Sequence, residues 1–529
     1  MGVASAPAVP AQVQEPLASA PMPTGAICKN ESIKRLVWMI GIMLVVYSSV
    51  LAVPYGFADD YEIGSWVYYQ PLRIIPCLAV QGRPVGALLE LAAYYPIYHV
   101  GDFAWLRLIG IIGLGFLAWV FSRTMIRAGW SVQAAIPMAV MAATMPPMQV
   151  LASWAIEFSY PWVAAVALLS AALWAESIPD GAPANRRREI RSGAASVALL
   201  LFSLMNNQPA AMIFWAAVAI DLFKPGSTIP RIYRRGVGYL GIGFLAMALE
   251  FVVLKLAIRI FPHEFMSYRA ALNKNFLAKI HWFIKTPLRD ALNLQHFPGT
   301  TATAITVGLA MAVGLLLYFP GNLLNRAKFF AAAMLLIPLA YLPNLAVAES
   351  VAYFRTEMGL TTLMLVYAWL ALNGFAATLL RRSPGQPPSG LGIALLRGAA
   401  VCACVVAAFN VLIYFAIPQT LEYRFVREKL ASADLRAVRR IHVIQPSPGD
   451  TLAPGAYREE FGLPSMFEDW VPNGMVQMTL RDLHLPIIDS DFEKPGHPPA
   501  HGAVSPPPNP ATLVIDMRQI TAMRDPSRN

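Results

Sequence analysis

Charge is the first thing this chain is short of. Asp, Glu, Lys and Arg make up 14% of its 529 residues, where a soluble globular chain carries about 25%. That excludes an ordinary water-soluble enzyme. Cysteine is scarce too, and four residues build no disulfide framework. Cys402 and Cys404 lie in one apolar run; two positions apart on a helix they face different ways, and packing is their expected role. The eight histidines show no metal-ligand spacing. The chain also has no P-loop, dinucleotide glycine fingerprint, His-Glu-x-x-His pair or nucleophile elbow. A nucleotide-driven pump and a zinc protease are excluded with them. The net charge of +10 does not signal nucleic acid, because the basic residues sit in short separate segments and form no binding arm.

What the chain has instead is apolar sequence: 57% hydrophobic residues and a mean hydropathy of +0.51. Apolar runs of roughly 18 residues or more recur, the mark of membrane-spanning helices. The expected fold is an all-α polytopic membrane protein with eleven spans, near 36–53, 104–122, 132–151, 161–176, 194–206, 209–223, 236–261, 301–319, 329–347, 358–380 and 391–417. Residues 1–32, rich in Ala and Pro, read as a disordered cytoplasmic tail. The first apolar run starts too late for a secretory signal and reads as a retained anchor.

Lys29, Lys34 and Arg35 precede that run and place the amino terminus in the cytoplasm. Arg123 with Arg127, "NRRREIR" at 185–191, Arg231 with Arg234 and Arg235, Arg326 with Lys328, and Arg381 with Arg382 then fall on the same side. The stretch 194–223 reads as a hairpin turning at "NNQP", because its basic flanks want both ends inside and Pro209 disfavours helix just before it. Residues 33–417 thus form the membrane domain. Residues 418–529 carry many charges and prolines and no span, and read as a small extracytoplasmic α/β domain with a frayed tail. Its expected elements are an amphipathic helix at 420–440 and short strands at 441–445 and 512–517.

With this topology the polar motifs gather on the outer side. "YGFADDYEIGSW" (55–66) follows the first run and sets two carboxylates, Asp59 and Asp60, side by side. One could cap a helix starting near Glu62; neighbouring carboxylates also repel, which suits holding a proton or orienting an acceptor hydroxyl. The stretches 62–75 and 84–100 mix Trp, Tyr and Leu and read as helices lying along the interface. Glu157 in "IEFSYP" and Gln208 in "NNQP" face the same way. Arg83 in "QGRPVG" and Arg355 in "VAYFR" can each grip a phosphate with two parallel hydrogen bonds, or anchor a lipid headgroup. Lys255, Arg259 and His263 recur every four residues along one helix face. They form either a cationic wall for phosphate or a stripe snorkelling to water. Glu250, deeper in that helix, cannot reach the surface so easily.

"GFADDYEIGSW" followed by "QGRPVGALL" resembles the GT-C superfamily of integral-membrane glycosyltransferases, in the branch of the GtrII-like O-antigen glucosyltransferases. "NNQP" and "VAYFR" are similar in placement to a Gln after a central span and an Arg near the last spans of that branch. The likeness covers about residues 36–415; residues 418–529 have no counterpart. It implies a bacterial inner-membrane enzyme that takes a sugar from a polyprenyl-phosphate donor and passes it to a lipid-linked or surface glycan on the outer face. Asp59 would be the general base, Asp60 would orient the acceptor hydroxyl, and Arg355 with Arg83 and Lys255 would bind the departing phosphate. No cofactor is expected. Some members use a divalent metal, but few further carboxylates stand near the acidic pair to complete an oxygen shell. The competing classes are a transporter or flippase of a lipid or glycolipid, which should show internal repeats and interrupted helices, and a scaffold, which would leave the acidic pair without a role.

Overall fold

Backbone groups in lipid have no water to bond to, so apolar runs satisfy them within helices. In the computed structural model, which describes residues 26–178, 185–294, 299–380, 390–446, 460–494 and 511–522, helices account for most of the chain. Six are long and apolar enough to cross a membrane: Val100–Arg127, Ala155–Ser177, Ile229–Ile260, Thr301–Tyr318, Phe354–Leu379 and Gly390–Ser432. A seventh candidate is the pair Val132–Ala143 and Pro146–Ser153, bent by 57°. Pro146 and Pro147 start a new helix at the bend.

The eleven expected spans are therefore not all matched among the described residues. The other four fall on shorter or more charged helices. Ala26–Val46 carries Lys29, Lys34 and Arg35 in its first half, so the helix already runs through part of the stretch expected to be a disordered tail; residues 1–25 lie outside the described residues, as do Arg381 and Arg382. Arg186–Leu204 opens on "RRREIR", Gln208–Leu222 is short, and Leu323–Leu339 has 17 residues.

The 194–223 stretch does break in two. Ser170 and Ser196 exchange hydroxyl-to-carbonyl hydrogen bonds of 2.7 and 2.9 Å. Ser203 donates to the Val163 carbonyl and Ser159 to Asn206. These pairings run Arg186–Leu204 antiparallel to Tyr160–Ser177. Asn207 then caps the next helix by accepting from the Ala210 N–H at 2.9 Å. At the far end Asp221 receives Arg231, Arg235 and the Tyr239 hydroxyl, each within 2.9 Å. Close helix contact elsewhere uses small residues: a Cβ on Gly374 would collide with the Gly314 carbonyl, so Thr301–Tyr318 and Phe354–Leu379 meet backbone to backbone.

Between the first helix and Val100–Arg127 lie the helices Asp59–Tyr69, Ile74–Ala79 and Pro84–Tyr94. After Ser432 the chain forms three parallel strands, β1 (Arg440–Ile444), β2 (Asp489–Glu493) and β3 (Thr512–Asp516), in the order β2-β1-β3. β1 and β3 lie where the sequence places strands. β2 escapes detection because "DSDFE" lacks an apolar alternation. Helix Val471–Asp482 packs directly on Asp59–Tyr69: a Cβ on Gly474 would stand 2.7 Å from the Tyr61 carbonyl, and Met478 closes on Gly64.

Candidate functional site

The loop before the acidic pair is held from several sides. Arg107, fully buried, donates to the Val50 and Tyr55 carbonyls and lies 3.9 Å over the Tyr55 ring. Tyr55 in turn donates to the Ser153 carbonyl. Ala58 follows at φ 42°, a conformation that costs a non-glycine residue roughly 1–3 kcal/mol. The strain turns the chain sharply, and the two aspartates leave it in different directions.

Asp60 goes inward. Its carboxylate accepts from the Tyr94 hydroxyl (2.7 Å) and from the N–H groups of Ile156 (2.8 Å), Phe57 (2.9 Å) and Ala155 (3.3 Å). It is fully buried and does not face the cavity described below. Its expected place beside an acceptor hydroxyl is therefore corrected: it ties the loop to Pro84–Tyr94 and to the start of Ala155–Ser177. Asp59 turns outward, half-buried, and its Oδ1 accepts from Trp470 Nε1 at 2.7 Å.

Asp59 borders a cavity of about 720 Å³. Five of the nine residues expected at a site line it: Asp59, Arg83, Glu157, Gln208 and Arg355. Gln208 is the hub of one wall. It donates to the Gln81 carbonyl (2.9 Å) and to Glu250 (3.1 Å), and accepts from Arg83 Nε (3.2 Å). Gly82, at φ 81°, allows this contact, since a Cβ there would strike both Gln208 and Glu250. Arg355 lines the cavity as well. Its guanidinium lies 4.3 Å over Trp154, with Glu157 at 3.7 Å and Glu460 at 3.8 Å.

Lys255, Arg259 and His263 are not brought to the cavity. They are exposed, and Lys255 sits 5.0 Å over the ring of its neighbour Phe251. The four-residue spacing is real, and Phe251, one turn before Lys255, does line the cavity, but the three basic side chains lie beyond its rim and do not line it. The cationic-wall expectation is corrected to an outward stripe.

Acid dominates the cavity although base dominates the chain. Eight carboxylates line it (Asp59, Glu62, Glu90, Glu157, Glu250, Glu349, Glu460 and Glu468) against four arginines. Burial without a hydrogen bond on Oε2 pushes Glu90 well above the ordinary carboxylate range. Burial raises Glu460, and burial with the nearby Asp59 charge raises Glu468. No three His, Cys, Asp or Glu side chains among the described residues are grouped to hold a metal ion.

Sequence reasoning did not find Glu460, Glu468 and Trp470. They lie in "EFGLPSMFEDW" (460–470), whose only signal is a cluster of aromatics and acids inside a polar tail. Glu90 and Trp154 also line the cavity, hidden in the sequence as single polar or aromatic residues within apolar helices.

Two carboxyls of the first-loop helix give a pH prediction. Burial pushes Asp60 up to about 6, and burial together with Asp59 pushes Glu62 up to about 8. A carboxyl raised in the folded state binds more protons there than in the unfolded chain, so stability falls as pH rises between the two values. The detergent-solubilised protein should melt at lower temperature at pH 8 than at pH 5. Glu62→Gln should flatten that slope above pH 6, as read by intrinsic fluorescence. Equal slopes in variant and wild type would place Glu62 in water.

Comparison with family models and with curated proteins finds no match to this chain.

Proposed function

We propose that the chain is a bacterial inner-membrane glycosyltransferase that moves a sugar from a polyprenyl-phosphate donor to a lipid-linked or surface glycan, with inversion, at an outward-facing site. The observation that carries this reading is the meeting of Asp59, from the start of the chain, with Arg83 and Arg355 around one cavity. A base and a cation far apart in sequence face a space large enough for a sugar.

The lining supports an amphiphilic donor. Phe244, Met247, Phe251 and Leu254 of the Ile229–Ile260 helix give the cavity an apolar flank, suited to an isoprenoid chain. Arg83 and Gln208 add polar groups to the lining, with Gln208 bonded to Glu250 of that same helix. Tyr353 and Trp470 offer aromatic faces to a sugar ring, and the carboxylates offer acceptors to its hydroxyls. In the reaction Asp59 takes the proton of the acceptor hydroxyl as that oxygen attacks the anomeric carbon. The bond from this carbon to the phosphate oxygen breaks, and polyprenyl phosphate leaves with its electron pair. A fixed guanidinium helps most as charge grows on the leaving oxygen. Arg83 is the freer of the two for this: Glu90, Glu157 and Glu250 feel its charge, but its one hydrogen bond is to a neutral amide, while Arg355 lies within 3.8 Å of two carboxylates.

The test uses purified protein in nanodiscs with a panel of radiolabelled polyprenyl-phosphate sugars and lipid-linked glycan acceptors. Label should pass to the acceptor, or to water when the acceptor is withheld, with release of polyprenyl phosphate. Movement of intact donor between leaflets with no bond cleaved would replace this reading with a carrier.

A further inference from the structure

We propose that the segment Glu460–Asp482 is a working part of the site, in which Trp470 positions the Asp59 carboxylate and Ser465 holds the strained backbone beneath it. As a statement about catalysis this rests on the transferase reading; as a statement about Asp59 it does not.

The contacts are specific and come from one side. Trp470 Nε1 donates to Asp59 Oδ1 at 2.7 Å, and the Ala58 N–H donates to Ser465 Oγ at 2.9 Å. Both reach across more than 400 residues of sequence, so no local preference of the "ADDYE" loop explains them. Ser465 is itself fixed. Its hydroxyl donates to Gln419 Oε1 at 2.7 Å, and its N–H and that of Met466 donate to the two oxygens of Glu422 at 2.8 and 2.9 Å. Glu422 and Ser465 are fully buried. The membrane helix Gly390–Ser432 thus grips the 463–466 turn, and the turn grips Ala58.

Ala58 needs such a grip. Its φ of 42° is one that an alanine leaves when the surroundings stop enforcing it. The bond to Ser465 satisfies the N–H of that strained residue, one position before the acid. The packing of Val471–Asp482 on Asp59–Tyr69 through Gly474 and Met478 sets the distance at which Trp470 can reach. At the far end of the same helix Asp482 accepts from the Tyr423 hydroxyl and the Val100 N–H, and meets His99 Nδ1 at 2.9 Å. The segment is fastened at both ends around the acidic loop.

A carboxylate held in a single direction reaches the acceptor proton more often. Trp470→Phe removes only the N–H and keeps most of the ring. Two measurements on the full-length protein decide the matter. The first is labelling of the Asp59 peptide by a hydrophobic carbodiimide, which reports how freely that carboxyl turns to meet a reagent in the cavity, followed by mass spectrometry. Asp59 should label several-fold faster in Trp470→Phe than in wild type, with labelling of Glu250 unchanged; equal rates at Asp59 would overturn the positioning role even if no sugar is ever transferred. The second is turnover: kcat should fall about tenfold with donor and acceptor KM within a factor of two, and a raised KM at constant kcat would make Trp470 a binding residue instead. Ser465→Ala should reproduce the loss in kcat, and Ala58→Gly, whose backbone takes φ 42° without strain, should recover most of that loss when added to Ser465→Ala. A wild-type protein inert on every donor would sink the transferase reading and leave the labelling result standing.

Discussion

Asp59→Asn should lower sugar transfer by about 10²–10⁴-fold, the usual worth of a positioned acid–base group, and leave the melting temperature near that of wild type. The asparagine keeps the shape of the side chain and an oxygen for the Trp470 N–H. It cannot take a proton. Asp60→Asn makes the control, because the neighbour has the opposite role. Both of its oxygens accept, four donors in all, and an amide nitrogen in place of one oxygen would face an N–H or a hydroxyl. An unsatisfied buried donor costs roughly 1–3 kcal/mol, so Asp60→Asn should melt early. Transfer per folded molecule should fall far less than in Asp59→Asn. Wild-type turnover in Asp59→Asn would remove that residue from the mechanism, whatever becomes of the rest of the cavity.

The pairing of these two residues shows what sequence could and could not say. "ADDYE" announces two acids at the end of an apolar run, and Asp59, Arg83, Glu157, Gln208 and Arg355 do meet at one cavity. They could be named in advance because each is a polar residue in an otherwise apolar, poorly charged setting, where a polar side chain needs a reason. Which of two adjacent aspartates faces the cavity was not legible. That depends on the backbone at Ala58, fixed by Ser465 from a distant part of the chain. The Lys255 stripe failed for a related reason: helical spacing names a face but not how far along it a cavity extends, and here Glu250 and Phe251 line the cavity while Lys255, Arg259 and His263 stay exposed outside it. The count of eleven spans is matched only in part, and the helices that fall short are short or open on basic residues, as in Leu323–Leu339 and Arg186–Leu204. The strands β1 and β3 were legible from their apolar residues, but nothing in "EFGLPSMFEDW" told that a segment after the last apolar run would supply part of the cavity lining.

Arg355 and Arg83 should separate when each is replaced, and by opposite measures. Arg355 stands between Glu157 and Glu460, both buried. Removing one partner from a buried ion pair strands the others and costs about 3–5 kcal/mol. Arg355→Ala should therefore express poorly and melt early, and its inactivity alone would say nothing about phosphate. The informative variant is Arg355→Met combined with Glu157→Gln and Glu460→Gln, which removes charge of both signs together; replacing a whole buried pair with neutral groups is often close to neutral for stability. This variant should recover the wild-type melting temperature and still bind polyprenyl phosphate, as read by native mass spectrometry. Arg83→Ala should do the reverse. Its only hydrogen bond is to the Gln208 amide and no carboxylate pairs with it directly, though its charge offsets the buried Glu90, so the melting temperature should fall less than in Arg355→Ala, while polyprenyl-phosphate binding and the donor KM worsen by about tenfold or more, the worth of one charge-assisted bond. If the balanced triple variant folds but loses polyprenyl phosphate, and Arg83→Ala retains it, the phosphate belongs at Arg355 and the two arginines exchange roles.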